Sequence, residues 1–419
     1  MTHFDVVVIG AGPAGMTAAA AAAESGCRVA LVDDNAAAGG QIWRGANSAA
    51  ASSPRAYADL IDRIERAAVE VQSGWRVIAQ PAAGVLRIEC DENCADLEYE
   101  HLIVATGARE RFLPFPGWTL QGVMGAGGLQ AIVKTGLPIA GKRVVLAGTG
   151  PLLLAVAAAL RKRGARIAGV FEQASFARAV RFGCELFLQP GKLIEGLGYR
   201  AGTLRYRFGS WVTRAHGDSR LEAVTVVSGG STHEVACDYL GCGYHLVPNL
   251  ELPRLLGCRI DGGYVMVDAA QRTSVENIYC AGELTGIGGL EKALVEGQIA
   301  GLATAGKTVS HLFARRGRAM RFARRLDAFC ALRPEVCDLA DGQTFICRCE
   351  DVPRSALSGM RSWREAKLHT RCGMGPCQGR ICGAAVETLF GWENDSIRPP
   401  VAPARVATLA ASTQEISAR

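Results

Sequence analysis

The stretch Phe4-Asp-Val-Val-Val-Ile-Gly10-Ala-Gly12-Pro-Ala-Gly15 decides the fold of the N-terminal part of the chain. A β-branched run ends in three glycines at Gly-x-Gly-x-x-Gly spacing. An Ala-rich segment follows, and a second apolar run, Arg28 to Val32, ends at Asp33. Strand, glycine turn, helix and strand in this order make the βαβ unit that binds dinucleotides. We therefore predict nucleotide binding here, with a purely structural role for the glycines as the alternative.

Each glycine of this first motif has a separate physical role. Gly10 makes the tight turn, Gly12 lets a pyrophosphate reach backbone N–H groups, and Gly15 packs the helix against the strand. The N-terminal dipole of the helix attracts phosphate. Asp33 follows Gly15 by 18 residues, a distance at which a carboxylate accepts from ribose hydroxyls. The predicted contacts of the first motif are Gly10, Gly12, Pro13, Ala14, Gly15 and Asp33.

Three further stretches complete a flavin site. Gly39-Gly-Gln-Ile-Trp-Arg44 resembles the Gly-Gly-Gln motif of pyridine-nucleotide-disulfide-reductase-like flavoproteins, and Thr273 to Glu283 resembles their second flavin motif, with Glu283 where Asp is usual. Leu102 to Gly107 has the form in which that superfamily closes the first dinucleotide half, although an ordinary strand and turn would look the same. The resemblance implies contacts at Gly40, Gln41, Arg44, Thr106, Gly107, Gly282 and Glu283.

A second βαβ pattern begins at Arg143-Val-Val-Leu-Ala-Gly148-Thr-Gly150-Pro-Leu-Leu153 and ends at Glu172. Leu153 replaces the third glycine, and a branched side chain there is expected to push the helix away from the strand and narrow the nucleotide approach. Glu172 is expected to accept a ribose hydroxyl and to repel the phosphate of NADPH. We predict a degenerate NAD(P)-binding-like domain that keeps the fold and loses the nicotinamide function.

Five of the fifteen cysteines lie between Phe345 and Gly383. Cys347 and Cys349 form a Cys-x-Cys pair, and Cys372 and Cys377 form a Cys-x4-Cys pair among glycines, whose N–H groups can point at sulfur. Four thiolates suit a [2Fe-2S] cluster. Tetrahedral zinc and unligated thiols are the alternatives, and the single residue between the first two cysteines argues against zinc. Cys382 is interpreted as a buried thiol on the following helix.

This stretch resembles the bacterioferritin-associated-ferredoxin-like [2Fe-2S] domain. The resemblance covers about the last fifth of the chain and implies a cluster bound by Cys347, Cys349, Cys372 and Cys377. No Cys-x-x-Cys occurs, and residues 39 to 50 contain no cysteine, so the redox pair of disulfide reductases is missing. Cys237 and Cys242 share a strand-like stretch and are interpreted as buried thiols.

The composition excludes several classes of protein. Nothing in the sequence predicts disorder, a membrane span or a signal peptide, and fifteen cysteines without a signal peptide indicate a reducing compartment. The net charge of +6 comes largely from Arg315 to Arg325. We interpret this run as a solvated helix face or a surface for an acidic partner subunit; a nucleic-acid patch is the alternative. We expect a cytoplasmic location, with peripheral attachment at the inner membrane as a variant.

The predicted fold class is α/β: a two-dinucleotide-binding-domain flavoprotein with a small α-rich C-terminal [2Fe-2S] domain. Residues 1–115 and 246–305 are assigned to a discontinuous FAD-binding domain and 116–245 to the degenerate NAD(P)-binding-like domain. Residues 306–340 are assigned to a helical linker, 341–390 to the cluster domain and 391–419 to an extended tail. FMN or an adenine nucleotide, in addition to FAD or in its place, stays open.

Over nearly its whole length the order of motifs resembles the alpha subunits of multi-subunit amine dehydrogenases, including opine oxidase, D-hydroxyproline dehydrogenase, dye-linked L-proline dehydrogenase and hydrogen cyanide synthase. The resemblance implies an electron-transferring subunit whose partner is an FAD-containing, amine-oxidase-like beta subunit. A small ferredoxin-like subunit is a second candidate partner. The alternatives are a stand-alone NAD(P)H-dependent reductase and a non-redox scaffold. No catalytic residue is assigned, and among the histidines only His245 is singled out for testing.

Overall fold

A computed structural model describes residues 2–46, 54–91, 93–186, 206–394 and 397–411. The chain divides into two compact units. Unit 1 comprises Met1–Arg109, Pro248–Arg324 and Asp395–Arg419, and unit 2 comprises Glu110–Val247 and Arg325–Asn394. The region predicted as a linker is therefore divided between the two units, and the cysteine-rich stretch belongs to the same compact unit as the second dinucleotide motif.

The helices in the described part are α1 (Pro13–Glu24), α2 (Arg55–Arg66), α3 (Ala126–Lys134), α4 (Leu152–Lys162), α5 (Phe176–Leu186), α6 (Glu251–Leu255), α7 (Leu290–Thr304), α8 (Phe313–Cys330), α9 (Pro334–Cys337), α10 (Trp363–Thr370), α11 (Cys382–Phe390) and α12 (Val406–Ala410). Three short 3-10 helices cover Gly282–Thr285, Ser310–Leu312 and Arg354–Leu357. None of these helices is long and apolar enough to cross a membrane.

The strands are β1 (Thr2–Ile9), β2 (Val29–Asp33), β3 (Glu70–Ser73), β4 (Arg76–Ala82), β5 (Val85–Cys90), β6 (Asn93–Val104), β7 (Ala108–Glu110), β8 (Val123–Gly125), β9 (Arg143–Thr149), β10 (Arg166–Glu172), β11 (Tyr206–Phe208), β12 (Ser210–His216), β13 (Ala223–Ser228), β14 (Ser231–Ala236), β15 (Tyr239–Tyr244), β16 (Leu246–Pro248), β17 (Ile260–Asp261), β18 (Tyr264–Val265), β19 (Ile278–Cys280), β20 (Phe345–Cys347) and β21 (Val352–Pro353).

Unit 1 is built on a seven-stranded sheet in the order β3-β2-β1-β6-β5-β4, with β19 paired to β6. The pairs β1–β2, β1–β6, β2–β3 and β6–β19 are parallel, whereas β4 and β5 form an antiparallel extension. The β-branched run in β1 is buried on both faces, as expected for a central parallel strand. Because β19 pairs in parallel with β6, the residues that follow Val104 and those that follow Cys280 lie at the same edge of the sheet, although they are far apart in the sequence.

Helix α1 packs against α7 with almost no side chain between the two backbones. A Cβ added at Gly297 or Gly301 of α7 would overlap the carbonyl oxygens of Ala14 and Ala18 in α1. The alanines of α1 from Ala18 to Ala22 are almost fully buried. Small residues on both helices therefore let the backbones of α1 and α7 approach each other closely.

Unit 2 contains a five-stranded sheet in the order β11-β10-β9-β15-β8, in which all pairs are parallel. The antiparallel sheet β12-β13-β14 adjoins it in the chain. Leu153, Val156 and Leu160 of α4 are buried against this parallel sheet in one apolar cluster. The second βαβ pattern thus forms the strand, helix and strand that the sequence predicts.

The cysteine-rich region of unit 2 is small and mostly helical. The hairpin β20–β21 and helices α10 and α11 surround an apolar cluster that includes Ile346, Trp363 and Val386. Ser362 caps α10 by accepting a hydrogen bond from Glu365 N. Together with the mainly parallel sheet of unit 1 and the parallel sheet of unit 2, this arrangement confirms the predicted α/β fold with a small α-rich C-terminal region.

The C-terminal segment packs on unit 1 and is only partly extended. Val401 N donates to Ile78 O at 2.9 Å, and the Arg87 guanidinium donates to Ala411 O at 2.7 Å. The sequence predicted an extended tail, whereas residues Val406–Ala410 form α12. Residues 412–419 of the predicted tail lie outside the described residues.

Gly301→Ala tests the close contact between α1 and α7. A methyl group there overlaps Ala18 O, so we expect a loss of about 1–3 kcal/mol of unfolding free energy despite the better helix propensity of Ala. The matched control is Gly183→Ala in α5, where an added Cβ meets nothing within 4 Å. The control is expected to keep or raise the melting temperature measured by circular dichroism. Equal melting temperatures for both variants would contradict the contact.

Candidate functional site

The first motif forms an open glycine cradle at the carboxyl end of β1. Gly10 has φ +103°, and a Cβ there would overlap Ala105 O, while a Cβ at Gly15 would overlap Gly10 O. A Cβ at Gly12, in contrast, meets nothing within 4 Å, and no side chain caps the N-terminus of α1. Gly10 and Gly15 are therefore needed for packing, whereas Gly12 borders open space beside a helix N-terminus, a position that is favourable for a phosphate group.

Asp33 joins the cradle to the Gly-Gly-Gln segment. One carboxylate oxygen of Asp33 accepts a hydrogen bond from Ala11 N, and the other accepts from Asn35 N and Nδ2, both at 2.7 Å. Asn35 Oδ1 in turn accepts from Arg44 at 3.2 Å, and Arg44 also donates to Gln41 Oε1 at 3.0 Å. The structure thus brings Asp33, Gln41 and Arg44 together.

Gly40 and the Thr106–Gly107 turn border the same cradle. A Cβ at Gly40 would lie 3.0 Å from Gly12 Cα, so this position has no room for a side chain. Thr106 is held by Asn249, whose Nδ2 donates to Thr106 O at 2.7 Å, while Asn249 N donates to Gly107 O at 3.0 Å. Asn249 is a positioning residue that the sequence analysis did not identify, because no motif indicated its contact with a turn about 140 residues away.

The second flavin motif reaches the cradle through Gly282, where a Cβ would lie 2.9 Å from Ala14 Cβ. Glu283 accepts hydrogen bonds from Gly288 N at 2.8 Å and Gly289 N at 2.9 Å, at the start of α7. Burial raises the pKa of Glu283, and nearby Lys292 opposes the shift. The ribityl contact of Glu283 therefore stays a prediction, and the structure shows that this carboxylate also orders the loop before α7.

A buried network of charged side chains holds the second flavin motif in position. Lys292 Nζ donates to Gly282 O at 2.6 Å, to Thr285 Oγ1 at 2.7 Å and to Glu296 Oε2 at 2.6 Å. Arg316 Nε donates to Glu296 Oε1 at 3.2 Å. Lys292 and Glu296 are 1% and 0% exposed, so both charges depend on these partners. The i,i+4 spacing of Lys292 and Glu296 was the available sequence signal.

The basic run proves to be partly structural. Arg316 faces inward to Glu296, whereas Arg315, Arg318, Arg321 and Arg324 are exposed on α8. These four arginines are therefore available either as a solvated helix face or as a surface for an acidic partner subunit, and both stay predictions.

Glu172 of the second motif does not face a ribose. Its carboxylate is fully buried and accepts from Gly150 N at 2.8 Å, Ala174 N at 2.9 Å and Tyr206 Oη at 3.1 Å. Burial raises the pKa of Glu172. The predicted ribose contact is wrong, because Glu172 is 0% exposed and no part of its carboxylate can reach a ligand.

Leu153 packs in the apolar cluster between α4 and the parallel sheet. It is fully buried, and a Cβ added at Gly243 of β15 would lie 3.5 Å from Leu153 Cδ2. Cys237 and Cys242, near and within β15, are buried as predicted, and burial raises the pKa of Cys237 to about 12.

The structure gathers five cysteines in the C-terminal region. The Sγ atoms of Cys347, Cys372 and Cys382 lie within 4.8 Å of one another, and all three residues are buried. Interactions with the Cys382 and Cys349 thiols lower the pKa of Cys377 to about 5. Cys382 is a buried thiol at the start of α11, as predicted, but it also contacts this group. The repeat of the Cys-x4-Cys spacing, Cys372 to Cys377 to Cys382, was the signal that could have found it.

The surroundings favour the thiolate form at two of the five cysteines, Cys347 and Cys377, whereas burial raises the pKa of Cys349 and the neighbouring Cys347 thiolate raises the pKa of Cys372 to about 12. The hydrogen bond from Cys372 and a further one from Cys382 lower the pKa of Cys347 to about 2, and the hydrogen bond from Cys382 lowers the pKa of Cys377 to about 5. Gly373 N lies 3.5 Å from Cys347 Sγ, as the glycine-rich sequence indicated. Metal ions bind thiolates, so this donor set fits a cluster or ion with four sulfur ligands.

Close backbone packing and an ion pair hold together the two loops that carry Cys349 and Cys377. A Cβ at Gly375 would overlap Cys349 Cβ, so glycine is needed for the close approach of the two loops. Arg371 donates to Glu350 at 2.7 Å across the same pair of loops. The five thiols exceed the four that a [2Fe-2S] cluster requires.

The fold and the open cradle define a two-dinucleotide-domain flavoprotein, an FAD-dependent oxidoreductase. The cradle fits the cofactor, because Gly12 and Gly107 each border space that a side chain would fill. Residues 4–305 match the profile of the pyridine nucleotide-disulphide oxidoreductases. The chain belongs to this family.

Two curated relatives match over nearly their whole length. Hydrogen cyanide synthase subunit HcnB of Pseudomonas protegens is 31% identical over 98% of this chain and 98% of its own. The A subunit of opine oxidase from Rhizobium meliloti is 33% identical over 96% of this chain and 97% of its own. Both names denote a subunit of a larger enzyme, and the similarity confirms the resemblance to this group. The likeness of the C-terminal stretch to a [2Fe-2S] domain stays a prediction.

Solved structures support the fold. L-proline dehydrogenase from P. horikoshii superposes with a TM-score of 0.66 at 17% identity, over 98% of this chain and 80% of its own. Thioredoxin reductase from T. acidophilum superposes with a TM-score of 0.56 at 23% identity, over 73% of this chain and 99% of its own. At these identities the likeness shows the fold alone.

Gly12→Val tests the cradle. The added side chain meets no protein atom at its Cβ, so the fold should persist, but it fills the space next to the helix N-terminus. We expect flavin binding to weaken at least about tenfold, measured by absorbance of the purified protein and by titration with FAD. Gly183→Val, also in open space, is the control and should keep its flavin. Full flavin retention by Gly12→Val would place the cofactor elsewhere.

Proposed function

We propose that this chain is the electron-transferring flavoprotein and iron–sulfur subunit of a multi-subunit amine dehydrogenase that oxidises an imino acid or an opine. The C–N bond would be oxidised on a partner subunit of the amine-oxidase-like type, and the electrons would pass through this chain to an external acceptor. One observation carries the proposal: a single chain presents both an open dinucleotide cradle and a cysteine-rich region in which the Sγ atoms of Cys347, Cys372 and Cys382 lie within 4.8 Å of one another.

The residues of this chain would bind and insulate the two carriers. Gly12 and the N-terminus of α1 would hold the FAD pyrophosphate, Asp33 the adenosine ribose, and Glu283 the ribityl chain. Cys347, Cys349, Cys372 and Cys377 are the proposed cluster ligands, with Cys382 beside them. When bound, a flavin accepts two electrons and releases them singly, and a [2Fe-2S] centre carries one at a time.

The full-length relatives support a role within a multi-subunit enzyme. Hydrogen cyanide synthase subunit HcnB and the A subunit of opine oxidase are each named as part of a larger enzyme. The exposed arginines of α8 offer a surface for an acidic partner subunit. The second function, a stand-alone NAD(P)H-dependent reductase, is favoured only by the intact parallel sheet around β9 and β10.

Iron analysis tests the cluster. We expect about two iron atoms and no stoichiometric zinc per chain, with a [2Fe-2S] signal in electron paramagnetic resonance after reduction. Serine variants of the five cysteines, one at a time, should lose the signal at Cys347, Cys349, Cys372 and Cys377 and keep it at Cys382. Cys27→Ser, in unit 1, is the control. Zinc in place of iron, or a cluster that survives Cys372→Ser together with Cys377→Ser, would overturn the assignment.

The subunit role is tested by comparing the isolated chain with the chain co-expressed with an amine-oxidase-like partner subunit. Dye reduction is measured with NADH and with a panel of imino acids and opines. We expect the isolated chain to show little turnover with any of them, and the complex to oxidise at least one imino acid or opine. Rapid NADH turnover by the isolated chain would favour the reductase instead.

A further inference from the structure

The parallel sheet of unit 2 places a ligand crevice between β9 and β15. From β9 the chain continues to β10 and β11 on one side, whereas β15 and β8 lie on the other, so the strand order reverses there. Ligands of open α/β sheets bind at this reversal, beyond the carboxyl ends of the strands. A nucleotide in the second motif would lie against Gly150, Gln173 and His245, which directly follow β9, β10 and β15.

Residues 327–333, called here the plug segment, lie across these strand ends. At the end of β15, Asp327 Oδ1 lies 2.8 Å from His245 Nε2. At the end of β9, Cys330 Sγ lies 3.0 Å from the position of a Cβ added at Gly150. The space beside the second glycine of the motif is therefore filled by a sulfur atom of the same chain.

At the end of β10, side chains outside the plug segment form hydrogen bonds with its backbone. Gln173 Nε2 donates to Ala331 O at 3.0 Å, and Gln173 Oε1 accepts from Arg333 N at 2.8 Å. Arg178 of α5 donates to the same Ala331 O at 2.7 Å. Both polar groups of the Gln173 amide, which is fully buried, are thus used by the plug segment.

Packing also fixes the plug segment. The ring of Phe329 stacks on Phe182 with 4.8 Å between centroids, and the Arg333 guanidinium lies 4.5 Å from the centroid of Trp211. Phe329 and Cys330 are 6% and 2% exposed. Removal of the segment would expose apolar surface that a polar pyrophosphate could not cover.

The N–H group of Gly150 is also engaged within the protein. Gly150 N donates to the buried carboxylate of Glu172, whereas in the first motif the acid accepts from Ala11, one position earlier than the matching Gly12. A pyrophosphate at Gly150 would meet a carboxyl group and a thiol in place of free N–H groups. The two motifs share one sequence pattern, but the second glycine borders open space in the first motif and a sulfur atom in the second.

We infer that the plug segment occupies the nicotinamide dinucleotide site of unit 2 and excludes NAD(H) and NADP(H) from it. The segment is an autoinhibitory contact built into the fold, and it restricts the chain to electron donors that do not bind through the second motif. This inference goes beyond the proposed function and does not depend on whether a cluster forms.

Two measurements on the full-length chain test the inference. First, NADH is titrated by calorimetry, and we expect no saturable binding below ~1 mM, the upper end of ordinary affinities for such substrates. Second, native alkylation of Cys330 by iodoacetamide is followed by peptide mass spectrometry. Cys330 should react at least about tenfold more slowly than Cys27, which is partly exposed in unit 1. Saturable NADH binding, or equal reaction of the two thiols, would overturn the inference.

Opening the segment supplies the positive test. The double variant Phe329→Ala/Cys330→Gly removes the stacked ring and the thiol at the end of α8, and we expect its NADH affinity to rise at least about tenfold. Phe313→Ala, a Phe on the same helix that is 39% exposed, is the matched control and should not gain binding. If circular dichroism shows that the double variant is folded and NADH still does not bind, the plug segment is not the cause of exclusion and the inference fails.

Discussion

Contact between glycine and backbone along α1 is the constraint on which the rest of unit 1 depends. Gly15 brings α1 against the turn of the first motif, and Gly297 and Gly301 bring α7 against the other side of α1. Since α7 begins at Leu290, shortly after the 3-10 helix Gly282–Thr285, this packing places the second flavin motif beside Ala14. A side chain at any of these glycines would separate two motifs that are more than 250 residues apart in sequence.

The two dinucleotide units show how one sequence pattern can end in different sites. Both have a glycine turn after a buried strand and an acid at the end of the next strand. In unit 1 the second glycine borders open space, whereas in unit 2 the matching Gly150 donates to Glu172 and faces Cys330. The pattern specifies the fold of the βαβ unit, and the surrounding chain decides whether a ligand can reach it.

The sequence alone did not predict the burial of the Lys292–Glu296 pair or the contact of Cys382 with the other thiols. Lys292 and Glu296 carry an i,i+4 spacing that usually marks an exposed helix face, and only the position of α7 in unit 1 explains their burial. Cys382 was separated from the other thiols because two pairs already supplied four ligands. Its contact with Cys347 depends on how α11 packs against β20, which a linear spacing does not encode.

The sequence by itself determined both βαβ units, the small-residue composition of α1 and α7, and the two regions that carry cofactor-binding motifs. Periodicity and turn residues act locally, so they can be read from neighbouring positions. Only the tertiary structure decided that Asn249 holds the Thr106–Gly107 turn, that Glu172 is enclosed, and that residues 327–333 cover the second motif. Each of these depends on contacts between residues more than 20 positions apart, and such contacts are set by the packing of whole elements.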